Sequence, residues 1–387
     1  GNASGPVIAG ALGEIDWRYV FFLNVPIALI AMVAVITLVK LPRDRVDEHI
    51  DYVGTGLLSI SLLSLLTTLT LAPNVGYGEP GVIAGFVVFA VFMVAFVWWL
   101  RRVGEAGLIP TSVAKNRPFI RACVAILLMS GLFFAAVFYF PQFFQKILGE
   151  DTLVAGLMLL PFVVVFAGTS FVEPWLVGKI GTKAVLSAGA AALFLGALLT
   201  VVIVDDNAEW AAFVPGMIAL GIGVGLFYSA ITNAALDLLP PDKSSLAGGL
   251  LYMFQIAGGA VGLALTTTVF LATSSREIDD AATDIGVQLS TGERNDIQGV
   301  LAGTDTSQQL LDQYSSQASQ LTEIVRDSFV TGMRWGFGFN ALLSLVGLLV
   351  VVWAVGGPPS MMFRDRDADG TDEAEAEDAA ADEAGAL

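Results

Sequence analysis

The chain has 387 residues, 55% of them apolar before glycine is counted and 14% charged, with a mean hydropathy of +0.74. Soluble domains carry about 25% charged residues, so this is not the composition of a water-soluble enzyme. With one cysteine (Cys123), one histidine (His49) and a formal net charge of -17, the chain offers no disulfide framework, no His- or Cys-rich metal set, no His-based catalysis and no basic footprint for nucleic acid.

Crossing about 30 Å of hydrocarbon takes roughly 20 apolar residues. In chain order, such stretches occur at residues 19–39, 52–72, 81–100, 119–140, 153–177, 184–204, 210–236, 246–272 and 330–355. Residues 1–12 read as the end of a tenth span. No charged segment precedes that opening run and the first residue is Gly1 rather than Met, so it is not read as a signal peptide and the chain is expected to be amino-terminally incomplete. Between the last two spans, residues 273–330 are polar, with Leu310, Leu311, Tyr314, Leu321, Ile324 and Val325 at loose helical spacing, and predict one or two short amphipathic helices outside the bilayer. Residues 357–387 form an acidic tail with the composition of a disordered segment.

Charge fixes an orientation. If loops alternate and residues 40–50 lie inside, the inside segments hold 13 Lys and Arg, whereas the short outside loops hold only Arg18 and Lys146. This asymmetry predicts a cytoplasmic carboxyl terminus. The acidity is peripheral: residues 273–330 carry ten acids against three bases, and residues 364–387 ten against two. His49, in a charged loop with Glu48 and Asp51, reads as a solvated side chain, and Cys123 as a small packing residue.

Inside the spans the backbone satisfies itself within helices, so departures from apolar sequence carry the information. Gly221, Gly225, Ser229, Asn233 and Asp237 recur every four residues, and Gln255, Gly258, Gly259, Gly262 and Thr266 form a second stripe. The glycines read first as close helix packing, while Asn233 and Gln255 fit packing and a lined cavity equally. The Gly221, Gly223, Gly225 run follows no strand and is not a dinucleotide loop. Ser130, Phe134, Phe138, Gln142 and Gln145 share one helix face, where rings with terminal amides would suit an amphipathic or cationic substrate or, alternatively, face lipid and neighbouring helices. Two carboxylates, Glu173 and Asp237, sit toward inner span ends. They are candidates for proton coupling, unless water or Lys179 and Lys243 compensate them.

Several blocks together resemble one family. Gly1-x-x-x-Gly5-Pro6-x-x-Ala9-Gly10 is similar to the second part of the antiporter motif of the major facilitator superfamily, although Ala9 stands where that motif usually has Gly. Trp17-Arg18-Tyr19-Val20-Phe21-Phe22-Leu23-Asn24-Val25-Pro26 resembles the entry to the sixth span of its fourteen-span drug:proton antiporters. Pro141-Gln142-x-x-Gln145-x-x-Leu148-Gly149, Ala155-Gly156-Leu157-x-Leu159-Leu160-Pro161 and Gly178-Lys179-Ile180-Gly181-x-Lys183 resemble the segments around its spans nine and ten. The resemblance covers nearly the whole chain.

It implies an all-α polytopic membrane protein, a helical bundle with about nine complete transmembrane helices plus the end of a tenth. Residues 1–50 would end the amino-terminal half (spans five and six), residues 51–102 would be two extra linker spans, and residues 103–356 the carboxyl-terminal six-helix half with external loop 273–330. Spans one to four of the family are not in the sequence, nor are the acidic site and basic loop they carry, so transport is expected of the parent protein. Gly1, Gly5, Pro6 and Gly10 would pack span five against the other half. Phe134, Phe138, Gln142, Asn233 and Gln255 would line the substrate cavity, and Glu173 and Asp237 would couple to protons, with no metal or cofactor. The partners implied are a small-molecule substrate, protons and the lipid bilayer, in a multi-pass monomer of the plasma membrane. The implied function is proton-coupled export by alternating access. The alternatives are a facilitator or importer of a natural metabolite, a membrane-embedded enzyme, for which no catalytic constellation is found, and a non-transporting scaffold or sensor.

Overall fold

A computed structural model describes residues 18–38, 50–287 and 316–354, with residues 8, 12, 16, 293, 297, 300 and 312–314 between and before them. Gly1, Gly5, Pro6 and Gly10, His49 and the acidic tail lie outside the described residues. Among the described residues regular structure is entirely helical, and nine helical stretches are long and apolar enough to cross a membrane. The chain is a multi-pass membrane protein.

Helices α1 (Arg18–Phe22) and α2 (Asn24–Leu38) come first, and neither buries a residue. Next, α3 (Tyr52–Val75) and α4 (Pro80–Val103) form a hairpin that leans on the bundle through α3. After the single turn α5 (Thr111–Ala114), α6 (Arg117–Lys146) begins the main bundle. There follow α7 (Thr152–Leu157), α8 (Leu160–Ile180), α9 (Thr182–Ile203), α10 (Trp210–Asp237), α11 (Ser244–Asp284) and α12 (Ala318–Ala354). Helix α6 packs on α11 and α12, α12 on α9, α9 on α10, and α10 on α8, so that these six helices form one bundle, a ring open between α8 and α11.

The stretch at 153–177 predicts one continuous span, yet the helix breaks between α7 and α8. Pro161 is the cause: it has no amide hydrogen, and its ring occupies the space of the carbonyl four residues back, that of Leu157, the last residue of α7. The polar segment after residue 272 also differs from expectation. Helices α11 and α12 themselves run on past the apolar zone into this segment, and most of residues 288–315, where short helices are expected, lies outside the described residues. At 41 residues α11 is about 60 Å long, twice the hydrocarbon thickness. Ile278 of α11 packs there with Ile297 and with Leu321 and Val325 of α12, a small core separate from the main one. The i, i+4 pair Leu321 and Val325 gives the extension an apolar stripe although its composition is polar.

Small residues set the crossings. On α10, Cβ atoms at Gly221 and Gly225 would meet the α8 backbone, at Phe162 O and Phe166 O, both 2.7 Å away, whereas one at Gly223 would meet Leu193 N of α9 at 2.6 Å. The Gly-x-Gly-x-Gly run thus lets α10 lie between two neighbours, touching one with each face. On α6 a Cβ at Gly131 would stand 2.9 Å from Gly262 Cα of α11. One turn earlier Gly258 rides on the Leu127 backbone, and Gly259 on the Phe134 ring. Such backbone contact is how membrane helices gain dispersion where lipid removes the hydrophobic drive. Toward the far end of α6, Phe140 stacks on Phe337 of α12 at 5.4 Å and Phe143 lies 4.8 Å from Phe213 of α10, which closes that end of the ring with buried aromatic rings.

Candidate functional site

Helices α8 and α10 run in parallel. Their contacts advance together: Gly221 against Phe162, then Gly225 against Phe166, then Asn233 against Glu173. The stripe that begins with two glycines on α10 is therefore a groove for α8. At the end of that groove nearer the carboxyl ends of both helices, Asn233 Nδ2 donates to Glu173 Oε2 at 3.3 Å. Sixty residues separate the two in sequence.

Glu173 is 1% exposed, and its second oxygen, Oε1, is buried with no hydrogen-bond partner among the described residues. The amide of Asn233 is its one hydrogen-bond donor among the described residues. Neither lysine weighed as a compensating charge is joined to it. Lys179 Nζ lies 3.9 Å above the Trp175 ring, and Lys243 pairs with Glu105 at 3.8 Å while donating to Ser112. A carboxylate so placed would be left without a counter-charge, which is costly in a membrane interior. Glu173 is thus arranged to hold a proton or to receive a cation. Asp237 is exposed at the last residue of α10, one turn beyond Asn233, and no contact joins it to Glu173.

Along α8 and α6 the groove continues into aromatic rings. Phe133 of α6 meets Phe162 and Phe166 of α8 at 6.1 and 6.3 Å and Tyr228 of α10 at 5.9 Å. Sequence reasoning picked the neighbouring face, containing Phe134 and Phe138, and missed Phe133, Phe162, Phe166 and Tyr228. Their signal in sequence was only that aromatic residues recur on three separate spans; nothing there pairs them.

The remaining candidates are placed as follows. Phe134 is half-buried and lies over Gly259 of α11, one turn from Gln255, which is half-buried. Phe138 is 45% exposed and meets only the next ring, Tyr139, whose hydroxyl donates to Thr267 Oγ1 of α11 at 3.0 Å. Gln142 is half-buried near the far end of α6. Asn233 is exposed, although its amide is engaged. The structure therefore joins Glu173 to Asn233, and Phe134 to Gly259 of α11 and, through Phe133, to the rings of α8. It does not bring Phe138, Gln142 or Asp237 into that group.

Two further clusters brace the face that holds the end of α10 and the start of α6. The Asp51 carboxylate accepts from Gly54 N (2.7 Å), Trp99 Nε1 (2.9 Å) and Leu108 N (2.9 Å), tying the start of α3 to the end of α4 and the loop beyond. Glu105 accepts from Thr111 Oγ1 and from the amide and hydroxyl of Ser112, and Asn116 Nδ2 donates to Leu238 O at 2.8 Å. At the opposite face Arg334 donates to Val204 O at 2.6 Å and lies 3.8 Å from Asp205, while Arg326 donates to Asp206 O at 3.0 Å. Both arginines of α12 thus hold the α9–α10 turn.

Residues 1–263 match the family described as the Major Facilitator Superfamily. Among curated proteins, the chain is 27% identical to the MFS-type transporter ppz2 of Metarhizium majus (strain ARSEF 297) over 364 residues, covering 89% of this chain and 59% of that protein. It is 25% identical to the multidrug resistance protein Stp of Mycobacterium tuberculosis (strain CDC 1551 / Oshkosh), over 72% of this chain and 52% of that one. It is also 25% identical to multidrug resistance protein 3 of Bacillus subtilis (strain 168), over 89% of this chain and 66% of that one. The chain spans little more than half the length of the first two.

Proposed function

The chain belongs to the major facilitator superfamily, and from that premise we propose that the full-length protein is a secondary active exporter of amphipathic small molecules, driven by proton entry. The names of the relatives, an MFS-type transporter and two multidrug resistance proteins, support export of such compounds. In this reading the six-helix ring of α6 to α12 is the carboxyl-terminal half, α3 and α4 are the linker spans, and α1 and α2 belong to the amino-terminal half. The Gly1, Gly5, Pro6 and Gly10 segment packs against the opposite half. The protein works as a monomer in the plasma membrane with its carboxyl terminus in the cytoplasm, as the distribution of Lys and Arg supports.

One observation carries the coupling step: Glu173 is fully buried and, among the described residues, has no cationic partner and one oxygen free of any hydrogen bond. Burial without a counter-charge favours the protonated form. An approaching cationic substrate stabilises the carboxylate and displaces the proton, and departure of that substrate restores the proton. The Asn233 amide holds one oxygen in either state and orients the other. The rings of Phe133, Phe134, Phe162 and Phe166 offer faces to the apolar part of the cargo, and Gln255 an amide. Phe138, Gln142 and Asp237 contribute farther along the path. Alternating access follows from rocking of the two halves about this site.

The test is efflux of a fluorescent organic cation from vesicles holding the full-length protein, with the proton gradient imposed or collapsed. Uphill efflux that needs the gradient supports the proposal. Uphill movement at the same rate without it refutes proton coupling.

A further inference from the structure

The inner face carries basic side chains with no acid set against them. Arg101, Arg102, Lys115 and Arg117 are all exposed, and none forms an ion pair with a described residue. Arg102 instead lies 5.3 Å above the Trp98 ring. The only acid within residues 101–117 is Glu105, and its oxygens are occupied by Thr111, Ser112 and Lys243. Those same bonds fold the segment back on itself, and Leu108 N is fastened to Asp51, so the bases at both ends stand on one short, braced platform. An excess of three positive charges within residues 101–117 is notable in a chain whose net charge is -17.

The complementary charge lies on the same face of the bundle. Helix α12 starts beside the α9–α10 turn, to which Arg326 and Arg334 bind it, and it therefore ends at the opposite face. That opposite face holds the end of α10 and the start of α6, joined by Asn116 and Leu238. Residues 364–387, which follow α12, carry ten acids and two bases. Arg364 lies ten positions beyond Ala354, and that stretch extended reaches about 33 Å, against a bundle some two to three helix diameters, about 20–30 Å, across. Next to an anionic leaflet an acidic segment is repelled by the membrane surface, so the exposed basic side chains of this face attract it, and the platform gathers four of them within residues 101–117.

We propose that residues 364–387 dock on the platform of Arg101, Arg102, Lys115 and Arg117, an intramolecular electrostatic contact at the inner face. The contact is tethered, and so works at high effective concentration, and it is exposed, and so yields to salt. It holds the α4–α6 connection against the end of α12, and it occupies these basic groups in place of lipid phosphates. It depends on which helix ends share a face and not on the transport mechanism.

The experiment uses the full chain in nanodiscs of zwitterionic lipid, with cysteines introduced by Ala114→Cys and Ala376→Cys. Cys123 is buried and stays out of the reaction. The readout is the rate of intramolecular cross-linking. It is expected to fall about tenfold or more once the tethered contact is lost, and this by three separate routes. The first is 1 M salt, where the screening length is about 3 Å. The second is the quadruple change of Arg101, Arg102, Lys115 and Arg117 to Gln. The third is neutralisation of Asp372, Glu373, Glu375, Glu377 and Asp378 to their amides, which leaves the helices untouched. A rate indifferent to salt and to both sets of variants overturns the proposal. So does cross-linking that vanishes in nanodiscs rich in phosphatidylglycerol, because the platform would then belong to lipid headgroups.

Discussion

Replacing Gly131 by Ala puts a methyl group into the closest crossing of α6 and α11. The new Cβ would stand 2.9 Å from Gly262 Cα, whereas carbon atoms rest at about 3.5–4.0 Å, so the helices must part by about 0.6–1.1 Å. The atom opposed is backbone, not a side-chain tip that could rotate away. Forced overpacking of this kind costs about 1–3 kcal/mol. Alanine also gains about 1 kcal/mol over glycine in helix propensity, and a matched control removes that gain from the comparison. Gly338 of α12 has nothing within 4 Å of where its Cβ would be. Unfolding of the detergent-solubilised protein should therefore place Gly131→Ala about 1–3 kcal/mol below Gly338→Ala. The same parting of the helices would lift Phe134 from Gly259, so substrate binding should weaken in Gly131→Ala and not in Gly338→Ala. Equal stability of the two variants would show that the crossing is not held by backbone contact, and the packing argument would fail.

Three other outcomes are expected. Asp51→Ala leaves Gly54 N, Trp99 Nε1 and Leu108 N without their acceptor, and at about 1–3 kcal/mol for each donor left buried the α3–α4 hairpin should loosen, seen as a red shift in tryptophan emission; an unchanged spectrum and melting curve would contradict it. The Asn207 amide first, and then neighbouring side chains including Arg334, hold the Asp205 carboxyl below its ordinary range. A depressed folded pKa means that the α9–α10 clasp is complete above the ordinary aspartate value of about 3.9 and is lost only as pH falls through the lower folded value, so amide exchange at residues 204–209 should show no added opening between neutral pH and pH 5. Asn233→Leu removes the one donor to Glu173, and uphill efflux of a cation should weaken while downhill movement of a neutral substrate persists; equal loss of both would indicate a folding defect instead.

Hydropathy alone located the nine spans, because twenty apolar residues in a row have few other fates. The break before α8 was also present in sequence, at Pro161, but a proline near a span's start reads as either a kink or a first-turn residue, and only the position of the Leu157 carbonyl decides. The lengthening of α11 and α12 was hidden for a different reason. Their outer turns are polar by composition, and what keeps them helical is a contact between Ile278 and Leu321 across the loop, which no local window contains. For the site, the stripe on α10 was readable as a face, but not the helix it faces. That Gly221, Gly225 and Asn233 all lie against α8 follows from tertiary packing, and so does the meeting of Asn233 with Glu173. Asp51 is the opposite lesson. It reads as one more charge in a charged loop, and its carboxylate is in fact the anchor of three segments, because the donors come from residues 54, 99 and 108.

The most direct test of the account is a count of protons at Glu173. Adding a cationic substrate to the full-length protein in weakly buffered detergent solution, with a pH indicator present, should release close to one proton per substrate bound. Glu173→Gln should bind the substrate more weakly and release none. Proton release that is undiminished in Glu173→Gln would contradict the account, and would move the coupling step to another residue.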